Sequence, residues 1–194
     1  DSAQRPDLQS WKTLDLYGQA VLATDDSERR NLLQLAVAED KNFSYAVKDL
    51  AGLESRLARY QAEQDAATER ALKELRQQLA VATERPQIEQ LTMMLLTKLY
   101  QSHRFHAQAK EARAFLEGLG PGAALTPTVD QIAVMLVTAD QLLRDDDAIL
   151  RDGELYLRRA PGSSMFAVIK QLMEGAIARK RQIDEGREAP ELRH

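Results

Sequence analysis

Two histidines, His103 and His106, are the residues whose type and spacing come closest to a metal site. Side chains three residues apart on a helix lie on the same face, and imidazoles are common zinc ligands. No carboxylate completes such a site at a suitable spacing, because Glu111 lies five residues further on and on a different face. We therefore expect both histidines at the polar turn of a helical hairpin, and we predict no metal site.

The run RDDDAILRD, residues 144–152, contains four aspartates. A calcium loop would need ligands at alternating positions, a central Gly and a terminal Glu, and this run lacks that order. Acidic residues at the start of a helix accept hydrogen bonds from its free amide groups and interact favourably with its dipole. Asp145, Asp146 and Asp147 are therefore predicted to stabilise the N-terminus of a helix.

Sequence patterns for covalent or phosphoryl-transfer chemistry are missing. The run GLGPG, residues 118–122, lacks the Lys-Ser/Thr pair of a phosphate-binding loop, and no Gly-x-Ser-x-Gly elbow occurs. The chain contains no cysteine, which excludes thiol nucleophiles and disulfides. We predict a protein that is not an enzyme and needs no cofactor.

The most basic run is IARKRQIDEGR, residues 177–187. It could attract an acidic partner or lipid head groups, although cations near a helix C-terminus are favourable in any case. The whole chain has a net charge of −4 with both signs interspersed, which argues against a nucleic-acid partner. No stretch of 18 apolar residues occurs, so membrane insertion is not expected.

Strong helix formers dominate the composition and only 5% of the residues are aromatic, which favours an all-α fold. Apolar periodicity and capping signals predict eight helices, beginning near residues 10, 26, 44, 86, 105, 128, 146 and 163. The predicted caps include Ser10, Asp25 with Glu28 three residues later, and Thr128 with Gln131. The helices form one domain over residues 10–185, between a flexible arm at 1–9 and a frayed tail at 186–194.

The third helix is predicted to be unusually long, over about residues 44–83. Its apolar residues are spaced three and four apart at 50, 53, 57 and 60, and again at 72, 75, 79 and 82. The intervening QAEQDAATERA offers only alanines as apolar residues. The alternative is two helices joined by an undetected break.

Three stretches resemble tetratricopeptide repeats, which are helical hairpins stacked into an α-solenoid. AVAEDKNFSYAVKDLA resembles the joint between two repeats, with Asp40 and Asn42 at family positions but Lys41 where Pro is usual. The other two stretches match at packing and turn positions, namely Met93, Leu96, Tyr100, Ala109, Pro121, Pro161 and Ser164. The turns near 41, 121 and 161 lie further apart than the family's repeat of about 34 residues, so the chain would be a divergent relative.

The resemblance implies a non-catalytic scaffold or adaptor that binds a peptide or protein partner in a concave groove. The residues that it places in this groove are Tyr45, Lys48, Met94, Lys98, Gln101, Thr138 and Gln141. Lysines there would pair with carboxylates of a partner, while Tyr45 and Met94 would supply apolar contacts.

Two other functions stay open. The chain could be a structural part of a larger bacterial envelope protein that forms a homodimer through leucines of the long helix, or its helices could enclose a small apolar ligand. The start at Asp1 suggests processing or excision from a longer protein. With the missing cysteines and the Pro-Ser turns, it slightly favours the periplasm or cell envelope over the cytoplasm.

Overall fold

The structure is a computed structural model of the chain, and it describes residues 11–120, 123–160 and 162–184. Within these residues the protein is all-α, with eight helices and no strand, as the composition predicts. The helices are α1 (Trp11–Leu22), α2 (Asp26–Glu39), α3 (Ser44–Val81), α4 (Arg85–Gln101), α5 (Phe105–Gly118), α6 (Pro127–Leu142), α7 (Asp146–Arg159) and α8 (Phe166–Asp184).

Residue contacts divide the chain into two compact units, Asp1–Ala67 and Thr68–His194, and the boundary falls inside α3. The single domain predicted over residues 10–185 stays a prediction. The predicted arm at 1–9 and tail at 186–194 lie outside the described residues, as do the predicted cap Ser10 and the two repeat-like prolines, Pro121 and Pro161.

Helix α3 continues without a break over 38 residues, which confirms one long helix rather than two. At 1.5 Å per residue its length is about 57 Å. Six of its eight predicted apolar positions, 50, 53, 57, 72, 75 and 79, enter hydrophobic cores, whereas Tyr60 is 62% exposed and Ala82 belongs to neither core. Leu53 is buried in the core of the first unit, where Leu50 and Leu57 pack beside it, and Leu72 is buried in the second unit.

In the first unit, α1 and α2 pack against each other, and the first part of α3 shares their core. The Asp25 side chain caps α2 as predicted, accepting a hydrogen bond from the Glu28 amide at 2.9 Å. Arg29 of α2 then donates to the main-chain carbonyls of Ala20 and Ala23, at 3.2 and 2.7 Å. These bonds satisfy carbonyls that the end of α1 leaves without helical partners, and they fix the first hairpin.

In the second unit, α4 packs against α5 and α6, while α6 also packs against α7 and α8. Its main core contains buried residues from all five of these helices, including Leu96, Ala112, Leu136, Ile149 and Ile169. A smaller core joins the end of α3 to α4 through Leu72, Leu95 and Leu99. The second unit therefore positions its surface side chains on a continuous stack of packed helices.

The turn between α4 and α5 is a Schellman motif. The His103 amide donates to the Tyr100 carbonyl at 3.0 Å, and the Arg104 amide donates to the Leu99 carbonyl at 2.9 Å. His103 takes the left-handed conformation that this motif requires, with φ at 56°. Glycine usually fills that position, because a Cβ atom is unfavourable there.

The same turn recurs 41 residues later, between α6 and α7. The Arg144 amide donates to the Gln141 carbonyl and the Asp145 amide donates to the Asp140 carbonyl, both at 3.0 Å. Arg144, with φ at 55°, takes the left-handed position that His103 takes in the first turn. Two hairpins of the second unit thus share one turn geometry without sharing a sequence motif.

The predicted cap of α6 was wrong by two residues. The helix begins at Pro127, and the side chain of Thr126, not Thr128, accepts a hydrogen bond from the Val129 amide at 3.2 Å. The Thr126 hydroxyl also donates to Glu89 of α4 at 2.6 Å. Pro127 can occupy the first turn without losing a helical hydrogen bond, which explains the earlier start.

Candidate functional site

A groove of about 560 Å³ lies on the first unit, between α1, α2 and α3. Its floor is formed by buried residues of the core of this unit, and Val21 is exposed at its edge. Its lining includes Ala20, Val21, Leu33, Leu53, Arg29, Lys48, Asp49 and Arg56. Lys48 was predicted as a partner-binding residue, and the other charged residues of this groove were not.

The charges of this groove are unequal, with three cations and one carboxylate. Arg29 is held by the carbonyls at the end of α1, and Asp49 accepts a hydrogen bond from the Tyr17 hydroxyl at 2.8 Å. That bond, together with burial, raises the pKa of Tyr17. Lys48 and Arg56 form no ion pair with another described residue. The groove therefore carries positive charge on a chain that is negative overall.

Tyr45, the other binding residue predicted in this unit, lies one helical turn before Lys48 and is 65% exposed. Its ring centroid lies 6.5 Å from that of Tyr17 and 5.9 Å from that of Phe43. Phe43 is buried and packs edge-on against Tyr17 at 5.2 Å. The aromatic group supports the start of α3 and presents the Tyr45 ring to solvent near the groove.

A second groove, of about 300 Å³, lies on the second unit where the end of α3 meets α4. Three residues predicted to bind a partner, Met94, Lys98 and Gln101, line it together with Leu75. Met94 is 50% exposed and Gln101 is exposed, whereas Lys98 is half-buried. The structure thus brings these three predicted residues together on one surface.

The remaining predicted residues, Thr138 and Gln141, lie on α6 and do not line either groove. Thr138 is half-buried and Gln141 is exposed. Under the offset of 41 residues shown by the two Schellman turns, they correspond to Thr97 and Tyr100. The residues predicted on α4 are Lys98 and Gln101, one position later than Thr97 and Tyr100. The predictions on α4 and α6 therefore differ by one residue in helical register.

The acidic run around residue 146 and the basic run near the end of the chain pair with each other. Asp145 caps α7 with its side chain, as predicted. Asp146 accepts from the Arg179 guanidinium at 2.6 Å, and Asp147 pairs with Lys180 of the same helix, α8. The hydrogen bond from Lys180 lowers the pKa of Asp147. Both runs therefore help to dock α8 on α7.

The two histidines lie at the α4–α5 turn, as predicted. His103 occupies the left-handed turn position with its ring edge-on to Phe105, the centroids being 5.8 Å apart. His106 is exposed in the first turn of α5. Glu111 pairs instead with Arg76 of α3 at 2.9 Å. Among the described residues, no group of three or more side chains could hold a metal ion.

A buried ionic cluster in the second unit was not predicted from the sequence. Arg113 of α5 donates to Asp152 of α7 from Nε at 3.0 Å and from Nη2 at 2.5 Å. The same Nη2 lies 3.5 Å from Asp140 of α6, and Arg151 adds a further bond to Asp152 at 3.1 Å. The side chains of Asp140 and Asp152 are 3% and 2% exposed. This cluster ties three helices together.

The two carboxyl groups of the cluster titrate in opposite directions. Burial raises the pKa of Asp140 to about 7, and a hydrogen bond to Asp152 favours its protonated form further. Burial also disfavours ionised Asp152, but hydrogen bonds from Arg113 and Arg151 outweigh it and lower its pKa. The sequence did hold a signal for Asp140, because it follows Ala133, Leu136 and Val137 at helical spacing on one apolar face.

No family model, curated protein or solved structure matches this chain. The similarity to tetratricopeptide repeats therefore rests on the residues quoted above and stays a prediction. Over the part of the chain that the structure describes, no helix has the length and apolar character needed to cross a membrane.

Proposed function

We propose that this chain is a non-catalytic interaction module, a scaffold or adaptor domain that binds an acidic segment of a protein or peptide partner. The observation that carries the proposal is the groove of the first unit. It combines apolar lining from three helices with the cations Arg29, Lys48 and Arg56 and a single carboxylate. We assign the binding of the acidic segment to this groove.

Two cations of this groove, Lys48 and Arg56, form no ion pair within the described part of the chain. A carboxylate that approaches Lys48 or Arg56 would not have to displace another described residue. Such pairs act mainly on the association rate and on specificity, and salt screens them with a Debye length of about 8 Å at physiological ionic strength. Apolar contact must therefore supply the affinity, at about 25 cal/mol per Å² of apolar area removed from water. Val21, which is 56% exposed, offers such area beside the cations.

A tetratricopeptide-like arrangement of the second unit is part of the proposal. It is supported by the shared turn geometry of the two hairpins and by the packing of α6 against both α4 and α8. In helical repeat proteins, stacked repeats create extended concave surfaces that bind partners. On this reading the groove lined by Met94, Lys98 and Gln101 is a second contact surface for a partner.

Self-association through the leucines of α3 is less well supported. Leu53 and Leu72 are 1% and 0% exposed, and Leu50, Leu57 and Leu75 pack against the cores of their own units. Side chains that are already packed within the chain cannot also form the seam of a coiled coil. The peptide-binding groove is therefore the function that we favour.

The proposal can be tested by selecting peptides from a displayed random library on the full chain. We expect enriched peptides to carry Asp or Glu next to apolar residues, and to bind more weakly as salt is raised. Lys48→Glu should weaken a selected peptide at least about fivefold, because it replaces an attraction in the groove by a repulsion.

Lys41→Glu is the matched control, since Lys41 is exposed in the α2–α3 turn and does not line the groove. It makes the same change of charge and should leave the affinity within about twofold. Failure to enrich acidic peptides would contradict the proposal. Equal losses in the two variants would indicate a general charge effect rather than binding in the groove.

A further inference from the structure

The second unit contains a pocket of about 290 Å³ between α5, α6 and α7, distinct from the two surface grooves. Its apolar lining includes Leu116, Leu125, Val129, Leu136 and Leu155. Leu116, Val129 and Leu136 are buried and also belong to the main core, so the pocket opens directly from packed apolar residues. Pockets with such linings commonly bind small molecules.

The polar groups in the lining are few and mostly already paired. Tyr156 donates its hydroxyl hydrogen to Asp130, and Arg113 donates to Asp152. The hydrogen bonds of Arg113 use Nε and Nη2, and none of the described residues accepts from its Nη1. Nη1 thus keeps a pair of N–H donors that no described residue uses, on a residue that lines the pocket.

The charges around the pocket cancel without a ligand. The two charged residues that line the pocket, Arg113 and Asp152, form an ion pair with each other. A charged ligand would bring an ion without a counter-charge into a largely apolar space, and the cost of removing that ion from water would not be offset. A neutral hydrogen-bond acceptor would bring no such cost.

We propose that this pocket binds a small neutral molecule that has an apolar body and one carbonyl group, with the carbonyl oxygen accepting from Arg113. A water molecule occupies about 30 Å³ in the liquid, so the pocket volume corresponds to a ligand of about ten non-hydrogen atoms. This site is independent of the acidic-peptide groove, since none of the lining residues is shared.

The test uses three probes of nearly equal size and different charge: 3-phenylpropanamide, 3-phenylpropanoate and 3-phenylpropylammonium. Their affinities for the full chain are measured by calorimetric titration or ligand-detected NMR at about pH 8.5, where a carboxyl group with a pKa of about 7 is ionised. We expect the amide to bind with a Kd of about 1 mM, as its size allows, and about tenfold more tightly than either ion. Equal or tighter binding of either ion, or no binding of the amide, would overturn the proposal.

Two variants locate the binding. Leu125 lines the pocket and is 40% exposed, so Leu125→Trp should fill the pocket opening without disturbing the core, and amide binding should fall about tenfold or more. Leu142→Trp is the control, because Leu142 is similarly exposed at 47% but does not line the pocket. Amide binding that survives in the Leu125 variant, or that is lost equally in both, would place the ligand elsewhere. Leu155→Phe, which reduces the pocket from α7, gives the same test if the first variant does not fold.

Discussion

Asp140 and Asp152 lie on different helices and share one guanidinium group, that of Arg113, in the interior of the second unit. Arg113 bonds closely to Asp152 and only at 3.5 Å to Asp140, whose Oδ2 is buried without a hydrogen bond from any described residue. Burial and the neighbouring Asp152 raise the pKa of Asp140, whereas the hydrogen bonds from Arg113 and Arg151 outweigh burial at Asp152 and lower its pKa. The stability of the fold should therefore depend on the protonation of one identifiable carboxyl group.

Replacing Asp140 with Asn should raise the free energy of unfolding at alkaline pH. The pKa of Asp140 is about 7 in the folded protein against an ordinary value of 3.8, so the folded state holds this proton more tightly. Its contribution to stability is complete below about pH 4 and is lost as the pH rises through 7. At pH 8 the variant should be more stable than the wild type by about 2 kcal/mol, the scale of an unsatisfied buried charged group. At pH 4 the difference should nearly vanish. Urea unfolding of both proteins at a series of pH values measures this difference in unfolding free energy.

Asp152→Asn provides the contrasting variant in the same cluster. This carboxylate accepts hydrogen bonds from both Arg113 and Arg151, so its neutralisation leaves a partly buried cation without a counter-charge. We expect destabilisation by about 3 kcal/mol near neutral pH. If Asp140→Asn also destabilised the protein at pH 8, the raised pKa of Asp140 would be contradicted.

Glycine in place of Arg144 should stabilise the protein. Arg144 adopts φ at 55°, and a left-handed conformation costs an L-residue about 1–2 kcal/mol that glycine avoids. Part of the gain is lost because glycine also has more freedom in the unfolded chain, so the net increase in unfolding free energy should be about 0.5–1 kcal/mol. Thermal or urea unfolding measures it. Arg144→Ala removes the same side chain but retains a Cβ atom, and it should show no such gain.

Features that depend on residues close together in the sequence were predicted, and features that depend on residues far apart were not. Helix α3 and the Asp25 cap depend on residues a few positions apart, and both were predicted from periodicity and capping rules. The cluster around Arg113 joins helices that are distant in sequence, and no local pattern relates such residues to each other. The grooves and the pocket depend on how helices diverge, which side-chain spacing does not determine.

Adding even a methyl group at Gly153 should lower the unfolding free energy. A Cβ atom there would lie 2.6 Å from Sδ and 2.8 Å from Cγ of Met173, and 3.4 Å from Cγ2 of Ile169, across the α7–α8 contact. Met173 is half-buried against the main core, so its displacement disturbs other contacts. We expect Gly153→Ala to lower the unfolding free energy by about 1–2 kcal/mol despite the higher helix propensity of alanine.

Gly18 in α1 is the matched control, since a Cβ atom there would meet nothing within 4 Å. Gly18→Ala should increase the unfolding free energy by about 0.5–1 kcal/mol, because the interior of a helix favours alanine over glycine by this amount. Both variants carry the same substitution in a helix, and the opposite signs are the prediction. Two changes of the same sign would show that α8 does not pack closely on α7 at Gly153.

The start of α6 offers the most direct comparison between a sequence rule and a tertiary contact. The capping box is complete only at Thr128, which has Gln131 three residues later, whereas Val129 stands at that place after Thr126. Only Thr126 precedes Pro127, and its hydroxyl group both accepts from the Val129 amide and donates to Glu89 of α4. Glu89 is 5% exposed and is also paired with Arg85 at 2.8 Å. The buried carboxylate therefore gives Thr126 a second role that capping rules do not consider.

Thr126→Ala should accordingly lower the unfolding free energy by more than the loss of an ordinary helix cap does. The cap is worth about 1 kcal/mol, and one oxygen of the buried Glu89 loses its donor at a cost of about 1–3 kcal/mol, so we expect destabilisation by about 2–3 kcal/mol. Thr128→Ala should change the unfolding free energy by less than about 0.5 kcal/mol, because Thr128 lies inside the first turn of α6 and does not cap it. Adding Glu89→Gln to each variant separates the two contributions. With Glu89→Gln present, Thr126→Ala should lower the unfolding free energy by less than it does alone, because a buried neutral amide without the hydroxyl donor costs less than a buried carboxylate. If the two substitutions were additive in unfolding free energy, Thr126 would act as a cap alone.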